Sequence, residues 1–307
     1  MGDVFRTPDE RFEGLPGYDF QPHYIELGGD SDGALAGLRM HYLDEGPRDA
    51  QPIVLLHGEP TWAYLYRKMI PAIAERYRVL APDFIGFGRS DKPTDIGWYT
   101  YERHCDSLRA FLRALELHDV TLVVQDWGGP IGLRVATDEP DTFADLVILN
   151  TGLFRPGPGW PTPGFLAWRR FAEDNPDLPV GMILQGATAT DLPPDVVAAY
   201  EAPYPNAASK AGAAAFPLLV PMDASDAGAD EMAGTRERLM KWDKPALVAF
   251  SDLDPIFPAA AGRRLAERIP GCRGFELIEG ASHFLQEDRG EAIAELIVGR
   301  GSPGQTG

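Results

Sequence analysis

The 307-residue chain is predicted to be an α/β protein with a mostly parallel eight-stranded sheet, flanked by helices and interrupted by one helical insertion. Three observations predict this. Short β-branched runs alternate with longer helical patterns, as in βαβ units. Six of the strand candidates are mostly apolar, as strands covered on both faces are. The alternation lapses once, over residues 152–226, where helical patterns follow Gly and Pro punctuation with no strand signal.

Segments 22–28 and 36–45 alternate apolar and polar residues and form an antiparallel, half-exposed start. IVLL at 53–56, YRVLAP at 77–82, VTLVVQ at 120–125, LVILN at 146–150, ALVAFS at 246–251 and GFELIEG at 274–280 are the buried parallel strands. Helices are expected near 62–75, 101–116, 128–138, 258–269 and 283–299. The insertion carries the amphipathic stretches FLAWRRFAED and PPDVVAAYEA. Residues 1–151 and 227–299 are thus expected to form one core domain, 152–226 a helical cap, and 300–307 a disordered tail.

Lys and Arg number 28 against 46 Asp and Glu, a formal net charge of −18. No run of basic residues is present to displace the counterions of a nucleic acid or an anionic membrane, so neither partner is expected. Cys105 and Cys272 cannot build a disulfide framework and have no metal-ligand spacing. Neither a signal-peptide core nor an apolar run of membrane-spanning length occurs, and the expected location is the cytoplasm.

Four strand ends carry the chemistry. VVQDWGG at 123–129 joins a strand to a helix, with Asp126 where a nucleophile elbow has its central residue and Gly128 two positions on. The bland alternative is an aspartate capping the helix. HGEPTW at 57–62 leaves the strand at 53–56, at the edge where ligands sit in open α/β sheets. SDLDPIFP at 251–258 offers Asp254 to orient a histidine; Asp252 is the alternative, and turn chemistry explains either. GASHFLQED at 280–288 contains His283, one of six histidines. Nucleophile, then acid, then histidine is the chain order of α/β-hydrolases.

From about residue 20 to 299 the chain resembles the haloalkane dehalogenases of the α/β-hydrolase superfamily, through HGEPTW, DFIGFGRSDKP at 83–93, VVQDWGG and SHFLQED. The resemblance implies an α/β-hydrolase fold and hydrolysis of carbon–halogen bonds to a primary alcohol, halide and a proton. The chemistry agrees. Serine attacking an alkyl halide would leave an inert ether, whereas Asp126 would give an ester that water can open once His283, held by Asp254, deprotonates it. The backbone N–H groups of Glu59 and Trp127 are the expected oxyanion donors. A halide needs donors without acceptors, which indole supplies. Trp127 is the first candidate. Of Trp160 and Trp168 in the insertion, Trp168 resembles the cap tryptophan of one dehalogenase subfamily. That subfamily places its acid after the later strand, in keeping with Asn150 at the earlier position. Glu59 also stands where it could position the hydrolytic water.

The nearest rival is an epoxide hydrolase with the same nucleophile, whose leaving alkoxide would need an acid such as Tyr200 or Tyr204. A serine esterase fails for want of an elbow serine, and a ligand-binding relative would be expected to have lost its triad. The expected partners are a small neutral halogenated alkane, water and the halide product. The chain is expected to act as a monomer with no metal or organic cofactor.

Overall fold

The computed structural model describes residues 3–28, 33–154, 156–157 and 161–301. The expected tail therefore lies, from residue 302, outside the described residues. In chain order the strands are β1 (Val4–Phe5), β2 (His23–Glu26), β3 (Arg39–Glu45), β4 (Pro52–Leu56), β5 (Arg78–Pro82), β6 (Lys92–Pro93), β7 (Val120–Val124), β8 (Phe143–Leu149), β9 (Ala246–Ser251) and β10 (Cys272–Ile278). The helices are α1 (Ile70–Ala74), α2 (Tyr101–Ala114), α3 (Gly128–Asp138), α4 (Pro163–Asp174), α5 (Val180–Gly186), α6 (Pro194–Glu201), α7 (Ala211–Leu219), α8 (Ala229–Leu239), α9 (Ala259–Ala266) and α10 (Leu285–Gly299).

Eight strands form one sheet in the order β10-β9-β8-β7-β4-β5-β3-β2. β2 and β3 run antiparallel, and β4, β5 and β7 to β10 pair in parallel. The central strands β4 and β7 are buried along nearly their whole length, as their largely apolar sequences require. Their carboxyl ends lie side by side, because Leu56 pairs with Val124. The chain order reverses there, with β5 on one side of β4 and β7 on the other, which opens the crevice that receives ligands in such sheets.

Helix α2 shows the local logic. Thr100 caps it by accepting from the Arg103 N–H at 3.2 Å. Its buried side chains at Tyr101, His104, Cys105, Leu108, Phe111 and Leu112 follow the helical repeat.

Several elements differ from the sequence reading. The last strand, β10, expected to be buried, is an edge strand with no buried residue, and β3, expected to be half-exposed, is buried at five of its seven positions. The stretch expected as one helix at 62–75 is a 3₁₀ turn at Ala63–Tyr66 followed by the short α1, because Pro71 has no N–H to donate and starts a new helix. Helix α8 was not expected, since ADEMAGTRERL is mostly polar and buries only Ala229, Met232, Thr235 and Leu239. The small sheet of β1 with β6 is too short to leave a pattern.

Between β8 and β9 the chain forms α4 to α7, with no strand among the described residues. This segment is joined to α10 by two adjacent carboxylates. Glu287 accepts from Arg67 Nη2 at 3.0 Å, lies 3.1 Å from Lys68 Nζ, and also takes the Tyr200 hydroxyl of α6. Asp288 accepts from the backbone N–H groups of Ala189 and Thr190 and from the Thr190 hydroxyl, at 2.7–3.1 Å. Burial alone would raise the Glu287 carboxyl, but Arg67, Tyr200 and Lys68 outweigh it and hold the group below its ordinary value of 4.5. A depressed carboxylate contributes stability that is present above pH 4.5 and lost as pH falls through the lowered value. Glu287→Gln should therefore cost about 3–5 kcal/mol at pH 7, because it leaves Arg67 buried and unpaired. In urea titrations the gap from the parent should narrow at acidic pH. Equal midpoints at pH 7 would show that the pair contributes nothing.

Candidate functional site

The turn after β7 has a left-handed residue at its centre: Asp126 has φ +47°. Backbone in this region is strained for a residue with a Cβ and is held by its surroundings. Here the Asp126 N–H donates to the Asn150 carbonyl at 2.9 Å, and the Asp126 carbonyl accepts from the Gly129 N–H at 2.9 Å and from Thr151 Oγ1 at 2.5 Å. Glycine is required on both sides. A Cβ on Gly58 would stand 2.2 Å from Asp126 Oδ1, and one on Gly128 2.4 Å from the Leu56 carbonyl oxygen.

The turn lifts the Asp126 side chain away from the helix it precedes. Trp127, not Asp126, occupies the cap position of α3, and no side chain caps that helix. Asp126 Oδ1 instead accepts the Glu59 N–H from the turn after β4, at 2.8 Å. The carboxylate is 13% exposed, so one face is open to a small reactant. The capping explanation for this aspartate is thereby excluded.

His283 sits on the loop before α10, which starts at Leu285 and not at 283. Ser282, just before it, donates its N–H to Asp288 at 2.9 Å, and the Phe284 N–H donates to the Ala187 carbonyl at 3.1 Å. His283 Nδ1 lies 2.9 Å from Asp254 Oδ2, and Nε2 lies 3.6 Å from Asp126 Oδ2. Asp254 is held by its other oxygen, which accepts from the N–H groups of Ile256 at 2.7 Å and Phe257 at 3.0 Å. Turn chemistry and histidine orientation are both true of this residue. Asp252 faces elsewhere, accepting from the Gly280 and Ala281 N–H groups at 2.8 and 3.3 Å.

Burial pushes the His283 imidazole down, but the carboxylates of Asp254 and Asp126 overcome it and raise the ring to about 10. Glu59 is displaced upward by burial and by the Asp126 charge, so its carboxyl is held toward the neutral form, and its Oε1 is buried with no protein partner among the described residues. Asn150 is fully buried; its Nδ2 donates to Ser251 Oγ at 2.7 Å and to the Ser282 carbonyl at 3.0 Å, and its Oδ1 accepts the Ser251 N–H at 2.9 Å. It ties β8 and β9 to the histidine loop, a function that its place in LVILN did not disclose.

Trp127 is buried beside Phe216, Phe154 and Tyr101, with ring centroids at 5.0, 5.9 and 6.3 Å. No acceptor takes its indole N–H among the described residues. Trp168, half-buried on α4, stacks on Phe171 at 6.0 Å and makes no ring contact with Trp127. Phe165, also on α4, has its ring centroid 6.2 Å from that of Phe154, which lies beside Trp127. Trp160 is outside the described residues. Tyr200 and Tyr204 are buried, and their hydroxyls donate to Glu287 and, at 3.4 Å, to the Pro60 carbonyl.

No group of three or more His, Cys, Asp or Glu side chains could hold a metal ion among the described residues. No helix among them is long and apolar enough to cross a membrane.

Comparison with known proteins agrees in both sequence and shape. The family model of the α/β hydrolase fold matches residues 51–290. Haloalkane dehalogenase 1 of Mycobacterium tuberculosis strain H37Rv is 50% identical over 299 residues, covering 96% of this chain and 98% of the relative. The haloalkane dehalogenase of Psychrobacter cryohalolentis is 46% identical over 299 residues, covering 96% and 97%. Among solved structures, the tetrameric haloalkane dehalogenase DpaA from Paraglaciecola agarilytica NO2 superposes with a TM-score of 0.89 at 38% identity, covering 96% of this chain and 97% of that one.

Proposed function

Because this chain belongs to the haloalkane dehalogenases of the α/β-hydrolase fold, we propose that Asp126, His283 and Asp254 carry out its hydrolysis of carbon–halogen bonds. The observation that carries the assignment is the Asp126 carboxylate, fixed by Glu59 through one oxygen and facing His283 with the other.

Asp126 Oδ2 attacks the halogen-bearing carbon, the C–X bond breaks, and the halide leaves with the bonding pair. Oδ1 becomes the ester carbonyl oxygen, already held by the Glu59 N–H. Water then gives a proton to His283 Nε2 and attacks Asp126 Cγ. The negative charge collects on Oδ1, where the N–H groups of Glu59 and Trp127 receive it. Collapse breaks the bond to the alkyl oxygen, which leaves as the alcohol with the proton held by His283, and the proton of the added hydroxyl is released to water as the Asp126 carboxylate is restored. The neutral carboxyl of Glu59 would hold the attacking water from its buried Oε1.

Alkylation also changes the base. It removes the Asp126 charge that helps to raise His283, so the imidazole should become less basic when a base is needed. Asp126→Asn mimics this neutralisation. By histidine NMR, His283 should titrate below its value of about 10 in the variant. An unchanged titration would sink this account.

The indoles of Trp127 and Trp168 are the proposed halide donors, with residues 152–226 as a cap on a core of 1–151 and 227–299. Trp168→Phe should weaken chloride or bromide binding by about tenfold or more, the worth of a hydrogen bond to a charge. Halide quenching of tryptophan fluorescence reads it, and a loss confined to Trp160→Phe would move the donor there. The engaged hydroxyls of Tyr200 and Tyr204 favour dehalogenation over epoxide opening, which would require a free acid. Small neutral haloalkanes remain the expected substrates, and a cytoplasmic monomer the expected form; DpaA being a tetramer makes sedimentation the direct test of the last point.

A further inference from the structure

A cavity of about 240 Å³ lies away from the proposed catalytic oxygens, between α3, α8, α9 and the loop after β8. Its floor includes Leu239, Phe250 and Phe257, all buried. Arg236 of α8, Arg264 of α9 and Arg268 just beyond α9 also line it. In a chain with 18 more acidic than basic residues, three arginines around one apolar pocket stand out. Arginines such as Arg67, Arg78, Arg109 and Arg134 are paired with carboxylates, unlike Arg264 and Arg268. Arg264 and Arg268 are exposed, and no carboxylate pairs with either among the described residues. They are separated by one helical turn, so both guanidinium groups can serve one anion at the mouth.

We propose that this cavity binds a carboxylate with a short apolar tail, the head on the arginines and the tail on the floor. The room is sufficient: an engineered apolar cavity of about 150 Å³ takes benzene, and this one is larger. A phosphate or bare halide would satisfy the arginines and leave the floor unfilled. A neutral alkane would fill the floor and leave the arginines unused.

The wall is shared with the triad. Phe257 stacks on the His283 ring at 5.8 Å and donates its N–H to Asp254 at 3.0 Å. Thr151, also in the wall, donates its hydroxyl to the Asp126 carbonyl at 2.5 Å. A tail pressed against Phe257 therefore reaches the histidine through one ring, and its occupancy should change turnover without competing for substrate. Only this effect on turnover rests on the dehalogenase reading; the binding itself does not.

Titration calorimetry with octanoate and 1-octanol tests the site, using the full chain and the double variant Arg264→Gln/Arg268→Gln. Octanoate should bind the parent one to one. The double variant should bind it about tenfold or more weakly, as expected when charge-assisted hydrogen bonds are lost. Octanol should bind the parent more weakly than octanoate does, and the variant should hydrolyse 1-bromobutane at the parental rate when octanoate is absent. Octanoate should lower kcat rather than raise KM alone. No binding to the parent, equal binding by the variant, equal binding of octanol, or purely competitive inhibition would each overturn the proposal. If neither protein hydrolyses 1-bromobutane, the substrate reading fails while the calorimetry still decides the site.

Discussion

His283→Gln is expected to stop after the first half-reaction: one equivalent of bromide released from 1-bromobutane per enzyme, and a butyl group left on Asp126. The displacement needs no proton, since bromide leaves as the anion, so removing the base spares it. Ester hydrolysis does need a base, and its loss should slow that step by about 10²–10⁴-fold. Glutamine keeps the polar bulk next to Phe257 and Phe284, so the site should remain packed. Intact-protein mass spectrometry after mixing reads the result directly, with peptide mapping to place the label. Multiple turnovers at the parental rate, or a label on a residue other than Asp126, would refute the two-step scheme.

Asp126→Asn is the complementary loss, and it should abolish halide release along with alcohol formation. The carboxamide matches the carboxylate in size, but it is a poor nucleophile. Turnover should fall by about 10⁴-fold or more, the scale on which enzymes lose activity when a nucleophile is removed. Halide binding measured by fluorescence should survive, because the proposed donors are the indoles. A variant that still released halide at more than a few per cent of the parental rate would require a different attacking group. Together the two substitutions separate the bond-breaking step from the ester-opening step.

The core was legible because its strands are short, apolar and β-branched, and the elbow because Gln125–Gly129 combines a strand end, a carboxylate and two glycines in five residues. Proximity was not legible. The sequence favours Asp254 over Asp252 only through the flanking Pro255 and Pro258, whereas the turn geometry aims it directly at His283. Asn150 looked like the residue left where an acid was absent, yet its amide holds three segments together. Arg236, Arg264 and Arg268 form no basic run, and only the packing of α8 against its neighbours brings them to one cavity. Helix α8 escaped because a polar helix with a central Gly234 carries little periodicity. The segment at 62–75 was misjudged because residues 62–67 are so uniformly buried that no face is marked, and because Pro71 starts a separate helix.

The carboxylates of Glu287 and Asp288 bear on how freely such a protein can be altered piecewise. The helical segment between β8 and β9 is gripped by residues about a hundred positions downstream; the bonds from Ala189 to Asp288 span 99. Those same residues lie four and five positions after His283. That segment is therefore not an interchangeable module. Its helices and the start of α10 must drift together, and a transplanted segment would arrive without the partners that lock it and would loosen the histidine loop in the same event.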